Sequence, residues 1–255
     1  MISVLLNGRL GNQMFQYAIC RLVAEKNKYN FYIPDFGSSS TEKTHIKNYF
    51  PNLDMGIKDG NLLYNFKEDH TIQNFNENIF NIKNFTEIWG FYQSPMYFSG
   101  YENKIRSWFN LEIDDQTKTI LEKYDPSKYC FIHIRGTDYK HHNHWFLTKD
   151  YYIKSMEYIK SINKGISFVF ITDDPEVCLE WFPNIECMKN DMMIDFKLLL
   201  QSKYLIIPNS TFSWWAAWLN PEKIVIAPNN WLNYNKPELG FYPADIKTKD
   251  FNYID

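Results

Sequence analysis

The chain has few of the residues that mark several common protein classes. Its four cysteines form no CxxC pair, which indicates buried thiols in a reducing compartment. No apolar run approaches the ~20 residues of a membrane helix, and the first residues lack the cationic flank of a signal peptide. The sequence therefore predicts a soluble, cytoplasmic chain without a transmembrane segment, and it leaves peripheral membrane association open.

An excess of positive charge is also absent, since the formal net charge is -3. Proteins that bind nucleic acids usually carry a basic patch, so no nucleic-acid partner is expected. Arginine is scarce too, and it occurs only at Arg9, Arg21, Arg106 and Arg135. Because a planar guanidinium can hold a phosphate through two parallel hydrogen bonds, each arginine is a candidate anion ligand.

Apolar residues make up 45% of the chain, which is enough for the core of one large domain or two smaller ones. The chain opens with a strand over residues 2–6, a glycine loop and a helix. In the second half, apolar runs alternate with helical patterns, with strands expected at 129–134, 166–171, 204–207 and 224–226. This alternation predicts parallel βαβ units and an α/β fold with two lobes, residues 1–125 and 126–255.

Two further stretches lie in the first lobe. Residues 95–109 begin with a proline and predict one continuous helix. Residues 37–84 are rich in Asn and Lys and carry no clear pattern. Two α/β lobes suggest a ligand cleft between them, at the carboxyl ends of their strands.

The strand at 129–134 runs into the sequence His133-Ile134-Arg135-Gly136-Thr137-Asp138. Alternation along a strand points His133 and Arg135 to one side, and a glycine turn follows. Arg135 at such a strand end suits a diphosphate. The alternative is a structural salt bridge.

A second group follows the strand at 204–207. Ser210, Thr211 and Ser213 place hydroxyls and backbone N–H groups at the start of a helix, where phosphate binds readily. The alternative is that Ser213 only caps its helix. The opening loop, Gly8-Arg9-Leu10-Gly11-Asn12, offers a similar helix start after a glycine turn.

Two further groups could hold a metal. Asp173 and Asp174 follow the strand at 166–171, and a helix-capping role is favoured for them because no further oxygen ligands lie nearby in the sequence. His141, His142 and His144 cluster in a polar segment, for which a solvated loop is favoured.

Five segments occur in the order found in one known family. They are GRLGNQMFQYA (residues 8–18), GFYQSPMYF (90–98), HIRGTDY (133–139), FITDD (170–174) and DFKLLLQSKYLIIPNSTFSWWAAWL (195–219). Together they resemble the signatures of the α-1,2-fucosyltransferases of glycosyltransferase family 11. The matches span residues 8 to about 231, and the last block is the most specific.

The resemblance implies a GT-B-type fold of two Rossmann-like lobes, with the acceptor on the N-terminal lobe and the GDP-sugar on the C-terminal lobe. It implies inverting transfer of L-fucose from GDP-β-L-fucose, without a metal or other cofactor. The acceptor would be the 2-OH of a terminal galactose on an oligosaccharide or glycolipid.

The resemblance also implies roles for individual residues. Arg135 would bind the diphosphate, and His133 and Asp195 would lie near guanine. The other donor-binding residues would be Ser210, Thr211 and Ser213 at the phosphate, and Arg9, Gly11 and Asn12 on the sugar–phosphate side. Arg135 and Arg9 would stabilise the leaving group, and Asp138 is the first candidate for the catalytic base, ahead of His141, His142 and Glu87.

One departure from the family pattern falls at Gly136, where the family usually has a second arginine. The departure predicts one missing cationic contact. Two alternative hypotheses therefore stay open. The chain could be a transferase for another GDP-sugar or acceptor, or an inactive module that binds a nucleotide or glycan.

Overall fold

The computed structural model describes residues 1–35, 45–142, 144–233 and 236–255. The chain forms two compact units. Unit 1 comprises Met1–Asn110 and Asn233–Lys247, and unit 2 comprises Leu111–Leu232 and Thr248–Asp255. Each unit is an α/β structure built on its own parallel sheet, which confirms the predicted fold class.

The division between the units differs from the expected boundary after residue 125. The helix Asp115–Lys123 belongs to unit 2, because the residues around it pair with that unit. Lys197 donates to Asp114 at 2.7 Å, and Lys123 donates to Glu186 at 2.8 Å. These ion pairs join positions far apart in the sequence, so no local pattern announces them.

Unit 1 contains a four-stranded sheet in the order β2-β1-β4-β3, and all its strands are parallel. Its longest helix, α1, packs most of its residues into the core of the unit. The elements are β1 (Ile2–Val4), α1 (Leu10–Asn27), β2 (Phe31–Tyr32), β3 (Tyr64–Lys67), β4 (Thr86–Trp89) and α2 (Glu102–Trp108), with 3₁₀ helices at Ile46–Asn48, Glu77–Asn81, Pro95–Phe98 and Pro237–Leu239.

Unit 2 contains a six-stranded parallel sheet in the order β10-β9-β8-β5-β6-β7. Its elements are α3 (Asp115–Lys123), β5 (Tyr129–Ile134), α4 (Lys149–Ile162), β6 (Ser167–Thr172), α5 (Pro175–Trp181), β7 (Cys187–Met188), α6 (Met192–Gln201), β8 (Tyr204–Ile206), α7 (Thr211–Trp218), β9 (Ile224–Pro228) and β10 (Asn252–Ile254), with a 3₁₀ helix at Tyr139–His141.

The strand order of unit 2 is that of a Rossmann fold. The chain runs outward from β5 through β6 and β7, then crosses to the other side of β5 and continues through β8, β9 and β10. Cys130, Ile132 and Ile134 point from β5 into one hydrophobic cluster, as the alternation predicts. The topological switch point lies between β5 and β8, where ligands of such sheets bind.

Some elements differ from the sequence prediction. The expected helix over 95–109 is two helices, because Gly100 between them has φ +79° and breaks the helical path. The strands β3, β7 and β10 were not expected from the sequence. Part of the unassigned segment 37–84, namely residues 37–44, lies outside the described residues, as does Asn143 beside the histidines.

Across the described parts of the chain, no helix combines the length and the apolar character needed to cross a membrane.

Candidate active site

Three loops of unit 2 meet at one edge of its sheet. The neighbouring parallel strands β8, β5 and β6 end at Ile206, Ile134 and Thr172, so the segments that follow them lie side by side. These segments carry the residues that the sequence analysis singled out in unit 2, apart from His133 on β5 and Asp195 on α6. The predicted positions at the carboxyl ends of strands are therefore those that the fold brings together.

Arg135 lies between two carboxylates at this edge. Its Nη2 donates to Asp138 Oδ1 at 2.5 Å, and its Nη1 pairs with Asp173 Oδ2. The side chain is 16% exposed. The structural salt bridge considered from the sequence is thus present, but a guanidinium has five N–H donors, and these two contacts leave others for an oxyanion.

Asp173 also fixes the turn after β5. Its Oδ1 accepts from Gly136 N at 2.8 Å, and its Oδ2 accepts from Thr137 Oγ1 at 2.8 Å. The Arg135 guanidinium and these two hydrogen bonds hold the pKa of Asp173 below its usual range, although burial acts in the opposite direction. An ionised Asp173 therefore holds the turn on which Arg135 is placed.

The favoured capping role is confirmed in position only. Asp174 is the N-cap residue of α5, but the Asp174 side chain makes no capping hydrogen bond. Instead, Lys140 Nζ donates to the buried Asp174 carboxylate at 2.7 Å. The ion pair joins two loops, so the local sequence alone suggested a cap.

His133 is buried beside Arg135, and its Nδ1 has no hydrogen-bond partner among the described residues. Burial lowers the pKa of His133 to about 4, although the nearby Asp173 carboxylate acts to raise it. The ring packs against Phe212 with the centroids 5.7 Å apart. His133 is therefore a neutral imidazole near pH 7, with a ring nitrogen ready for a ligand.

The loop after β8 leads directly into α7. Ser210 is the N-cap residue of α7, and the Ser210 side chain makes no capping hydrogen bond. The Ser213 hydroxyl donates to the Ser210 carbonyl oxygen at 3.2 Å, and Ser213 lies inside the first turn, so the alternative that Ser213 caps the helix is wrong. Thr211 begins the helix. The three side chains lie together at a positively polarised helix start.

Asn209, just before this helix, is 2% exposed. Its Nδ2 donates to the Trp145 carbonyl oxygen at 2.8 Å, whereas its Oδ1 has no partner in the described part of the chain. A buried acceptor without a partner carries a desolvation cost that a bound ligand can remove. Sequence reasoning noted Asn209 in its motif but gave it no role.

Asp195 lies in the first turn of α6, which begins at Met192. Asp191 is the N-cap residue, so Asp195 is not the cap of this helix. Asn190 Nδ2 donates to Asp195 Oδ1 at 2.8 Å. Burial raises the pKa of Asp195 to about 7, and the Asp173 carboxylate contributes in the same direction.

In unit 1, Arg9, Gly11 and Asn12 lie at the start of α1. Arg9 is the exposed N-cap residue, Gly11 is buried, and Asn12 Oδ1 accepts from Gln93 Nε2 at 3.0 Å. The preceding Gly8 has φ +75°, the left-handed region that glycine favours. These three predicted residues thus lie together on unit 1, whereas the other site residues lie on unit 2.

The turn around Phe91 carries a residue that the sequence analysis missed. Glu68, which follows β3, accepts from Phe91 N at 2.7 Å and from Tyr92 N at 3.0 Å. Burial raises the pKa of Glu68 to about 7, while these hydrogen bonds act to lower it. No local signal marks Glu68, because its partners lie more than 20 residues away in the sequence.

The remaining candidates for a base or a metal ligand are spread over both units. Glu87 is half-buried on β4, and His141 and His142 are exposed, with the His142 ring 4.1 Å from Trp145. Within residues 1–35, 45–142, 144–233 and 236–255, no group of three or more His, Cys, Asp or Glu side chains is arranged to hold a metal ion.

A Rossmann sheet with an arginine and a helix start at its switch point is typical of proteins that bind nucleotides. The family model for Glycosyl transferase family 11 matches residues 1–255. The chain belongs to this family, and it is therefore a glycosyltransferase of the α-1,2-fucosyltransferase kind.

Relatives over nearly the whole chain include two named transferases. An Alpha-1,2-colitosyltransferase of Escherichia coli is 28% identical, with 93% of each chain covered. A Galactoside alpha-(1,2)-fucosyltransferase 1 of Alouatta caraya is 26% identical, covering 93% of this chain and 72% of that protein. Among solved structures, the NodZ alpha-1,6-fucosyltransferase soaked with GDP-fucose has a TM-score of 0.49 at 12% identity, covering 86% of this chain and 92% of that chain.

Proposed function

We propose that this chain is an inverting transferase that moves L-fucose from GDP-β-L-fucose to the 2-OH of a terminal galactose on a glycan. Family membership supports the reaction class. The single observation that supports the donor site is the placement of Arg135 and the start of α7 at the switch point of the unit 2 sheet. The acceptor and the individual residue roles are part of the proposal.

The proposed donor site uses groups that lie at the same sheet edge. The diphosphate binds the remaining N–H groups of Arg135 and the backbone and hydroxyl groups of Ser210, Thr211 and Ser213. Guanine lies near His133 and Asp195. The unpartnered His133 Nδ1 and Asn209 Oδ1 support a ligand here, because both atoms are buried and unsatisfied among the described residues.

The chemical step separates the sugar from GDP. The anomeric carbon develops oxocarbenium character as its bond to the β-phosphate oxygen breaks, and negative charge grows on that phosphate. Arg135, and in the proposal Arg9 as well, stabilises this charge. Preorganised groups of this kind often provide the largest part of catalysis.

The acceptor hydroxyl attacks the opposite face of the sugar and transfers its proton to a base, which gives inversion. Asp138 stays the first candidate from the sequence analysis, and in the structure its carboxylate accepts a hydrogen bond from Arg135 Nη2. Glu87, His141 and His142 are the other candidates. We place the acceptor on unit 1 and the donor on unit 2, which refines the proposed lobe roles to the observed units.

The test is incubation of the purified chain with GDP-L-fucose and a galactose-ended oligosaccharide, followed by mass spectrometry and linkage analysis of the product. We expect one added fucose, α-linked to the 2-position of galactose. Binding of GDP without any turnover, over a panel of sugars and acceptors, would instead support an inactive binding module.

A second donor is favoured by one specific observation. The relative that is 28% identical over 93% of this chain is a colitosyltransferase, and colitose is L-fucose without its 3-hydroxyl. The same assay with GDP-colitose in competition with GDP-L-fucose separates the two. A higher kcat/KM for GDP-colitose would assign the chain as a colitosyltransferase and overturn the fucose proposal.

A further inference from the structure

Two turns meet at the switch point of the unit 1 sheet. β1 and β4 are neighbours in this sheet, so the loop after β1 and the turn after β4 lie at the same edge. Two hydrogen bonds tie them together, from Gln93 Nε2 to Asn12 Oδ1 at 3.0 Å and from Gln16 Nε2 to the Gly90 carbonyl oxygen at 2.9 Å. Because Asn12 and Gln16 lie in α1, the turn after β4 is thus fixed to the first two turns of that helix.

This turn has an uncommon backbone conformation. Gly90 has φ +152°, and a Cβ atom there would lie 2.4 Å from Glu68 Cβ. Tyr92 has φ +53°, which a residue with a large side chain rarely adopts. The Glu68 carboxylate holds this conformation through the N–H groups of Phe91 and Tyr92. Backbone held in such conformations concentrates at functional sites.

Phe241 reaches the same turn from the end of the chain. Its ring contacts Phe91 with the centroids 5.8 Å apart and the planes at 61°. Phe241 is 48% exposed and has φ +59°, again in the left-handed region. Its backbone N donates to the His70 carbonyl oxygen at 2.7 Å, and this hydrogen bond fixes the position of the Phe241 backbone. Packing in a hydrophobic core explains neither the exposure of the Phe241 ring nor its left-handed backbone conformation.

We propose that Phe91 and Phe241 form a platform on which a sugar ring of the acceptor glycan stacks. The inference rests on the proposed function and names the acceptor subsite on unit 1. Aromatic faces bind the C–H face of galactose, whereas its hydroxyl groups require polar neighbours. The exposed Asp69 and His70 adjoin the segment that holds Phe241 and supply such neighbours. Two rings with a polar border fit one sugar better than a lipid or a protein surface.

The first test is Phe241→Ala, with the acceptor KM, the donor KM, the GDP affinity and the melting temperature measured together. We expect the acceptor KM to rise roughly 5- to 10-fold. GDP affinity should not change, because the donor site is proposed on unit 2. Leu239→Ala is the matched control, since Leu239 is 56% exposed in the same segment and its truncation should leave the acceptor KM unchanged. Phe241→Trp should restore binding.

A second variant separates stacking from folding. Phe241→Gly removes the ring and also relieves the left-handed backbone, so the melting temperature should stay equal or rise while the acceptor KM increases. Two results would overturn the platform: an unchanged acceptor KM in a folded Phe241→Ala variant, or an equal rise of the acceptor KM in Leu239→Ala.

Different experimental results would refute the proposed platform and the proposed reaction. If wild type transfers no sugar, the proposed function is wrong. Calorimetry with the galactose-ended oligosaccharide alone still tests the platform, because wild type should bind it and Phe241→Ala should bind it 5- to 10-fold more weakly, by roughly the cost of one lost aromatic contact. Equal binding by the two proteins overturns the platform whatever the activity.

Discussion

The backbone of Gly136 lies against Asp174 so closely that a Cβ atom at position 136 would be 2.4 Å from Asp174 Cβ. By the family resemblance, Gly136 stands where a second arginine is expected. Lys140 supplies a cation to Asp174 from the following turn, at 2.7 Å. The space that a side chain at position 136 would need is therefore filled in this chain.

Gly136→Ala should destabilise the protein by about 1–3 kcal/mol, because the added methyl group forces the turn or Asp174 to move. Gly136→Arg should be at least as unstable and should gain no activity. The measurements are urea unfolding and kcat/KM for the donor. An arginine variant with higher activity and normal stability would show that the missing side chain, and not the packing, limits this site.

Arg135→Ala should lower kcat/KM by on the order of 10²-fold or more and weaken GDP binding, because it removes the proposed phosphate ligand. Arg135→Lys should also have a low kcat/KM, since lysine cannot make two parallel hydrogen bonds. Arg106→Ala is the control, because Arg106 contacts Asn103 on α2 of unit 1. Full activity of a folded Arg135→Ala variant would place the phosphate elsewhere.

Asp195→Ala should reduce the preference for guanine over adenine nucleotides. A carboxylate can accept from guanine N1–H and the 2-amino group together, and a site built around such an acceptor can discriminate by up to ~10⁴-fold. Calorimetry with GDP and ADP measures the preference. Because Asp195 is not the N-cap of α6, the helix should keep its stability; a destabilised variant with unchanged preference would contradict this role.

The proposed contact between Asp195 and guanine also predicts that GDP affinity depends on pH. Since burial raises the pKa of Asp195 to about 7, the carboxyl is largely protonated at pH 5.5 and ionised at pH 8. GDP affinity should therefore rise with pH across this interval and release a proton on binding. GDP's own phosphate titrates near pH 6, so Asp195→Asn is the reference for that contribution. His133 does not contribute to this pH dependence, because its pKa of about 4 keeps the imidazole largely neutral across the same interval.

Glu68→Ala should destabilise unit 1 by about 1–3 kcal/mol for each N–H group of the turn left unpaired. Glu68→Gln keeps an acceptor oxygen and should retain the fold. Glu68 has a raised pKa of about 7, so the folded state holds its proton more tightly than the unfolded state between pH 4.5 and 7. Wild-type stability should fall relative to Glu68→Gln as pH rises through this range. Parallel pH profiles of the two proteins would contradict it.

Activity should survive EDTA. The expectation comes from the metal independence that the family resemblance implies. Loss of transfer on chelation, with recovery on adding Mn²⁺ or Mg²⁺, would point to carboxylates such as Asp173 as metal ligands. Transfer assays with and without EDTA, in buffer freed of divalent ions, make the comparison.

The sequence was most informative for strands that are buried on both faces along most of their length. The run at 129–134 predicted β5 with its observed bounds, because a central parallel strand is apolar on both faces. The positions of Arg135 and Ser210 at strand ends followed from the same runs. Glu68 and the Lys140–Asp174 ion pair could not be predicted, since both depend on contacts between distant segments. The sequence also gave no sign that Phe241 would contact Phe91.

Unit 1 is completed by a segment that lies near the end of the chain. Asp245 accepts from Phe75 N at 2.7 Å, and Tyr242 exchanges backbone hydrogen bonds with residues 71 and 73. Unit 2 in turn takes its edge strand β10 from residues beyond that segment. During synthesis on the ribosome, neither unit is complete until residues 233–255 have emerged. A nascent chain halted before them has two unfinished folds, so a single late stop codon should abolish both at once.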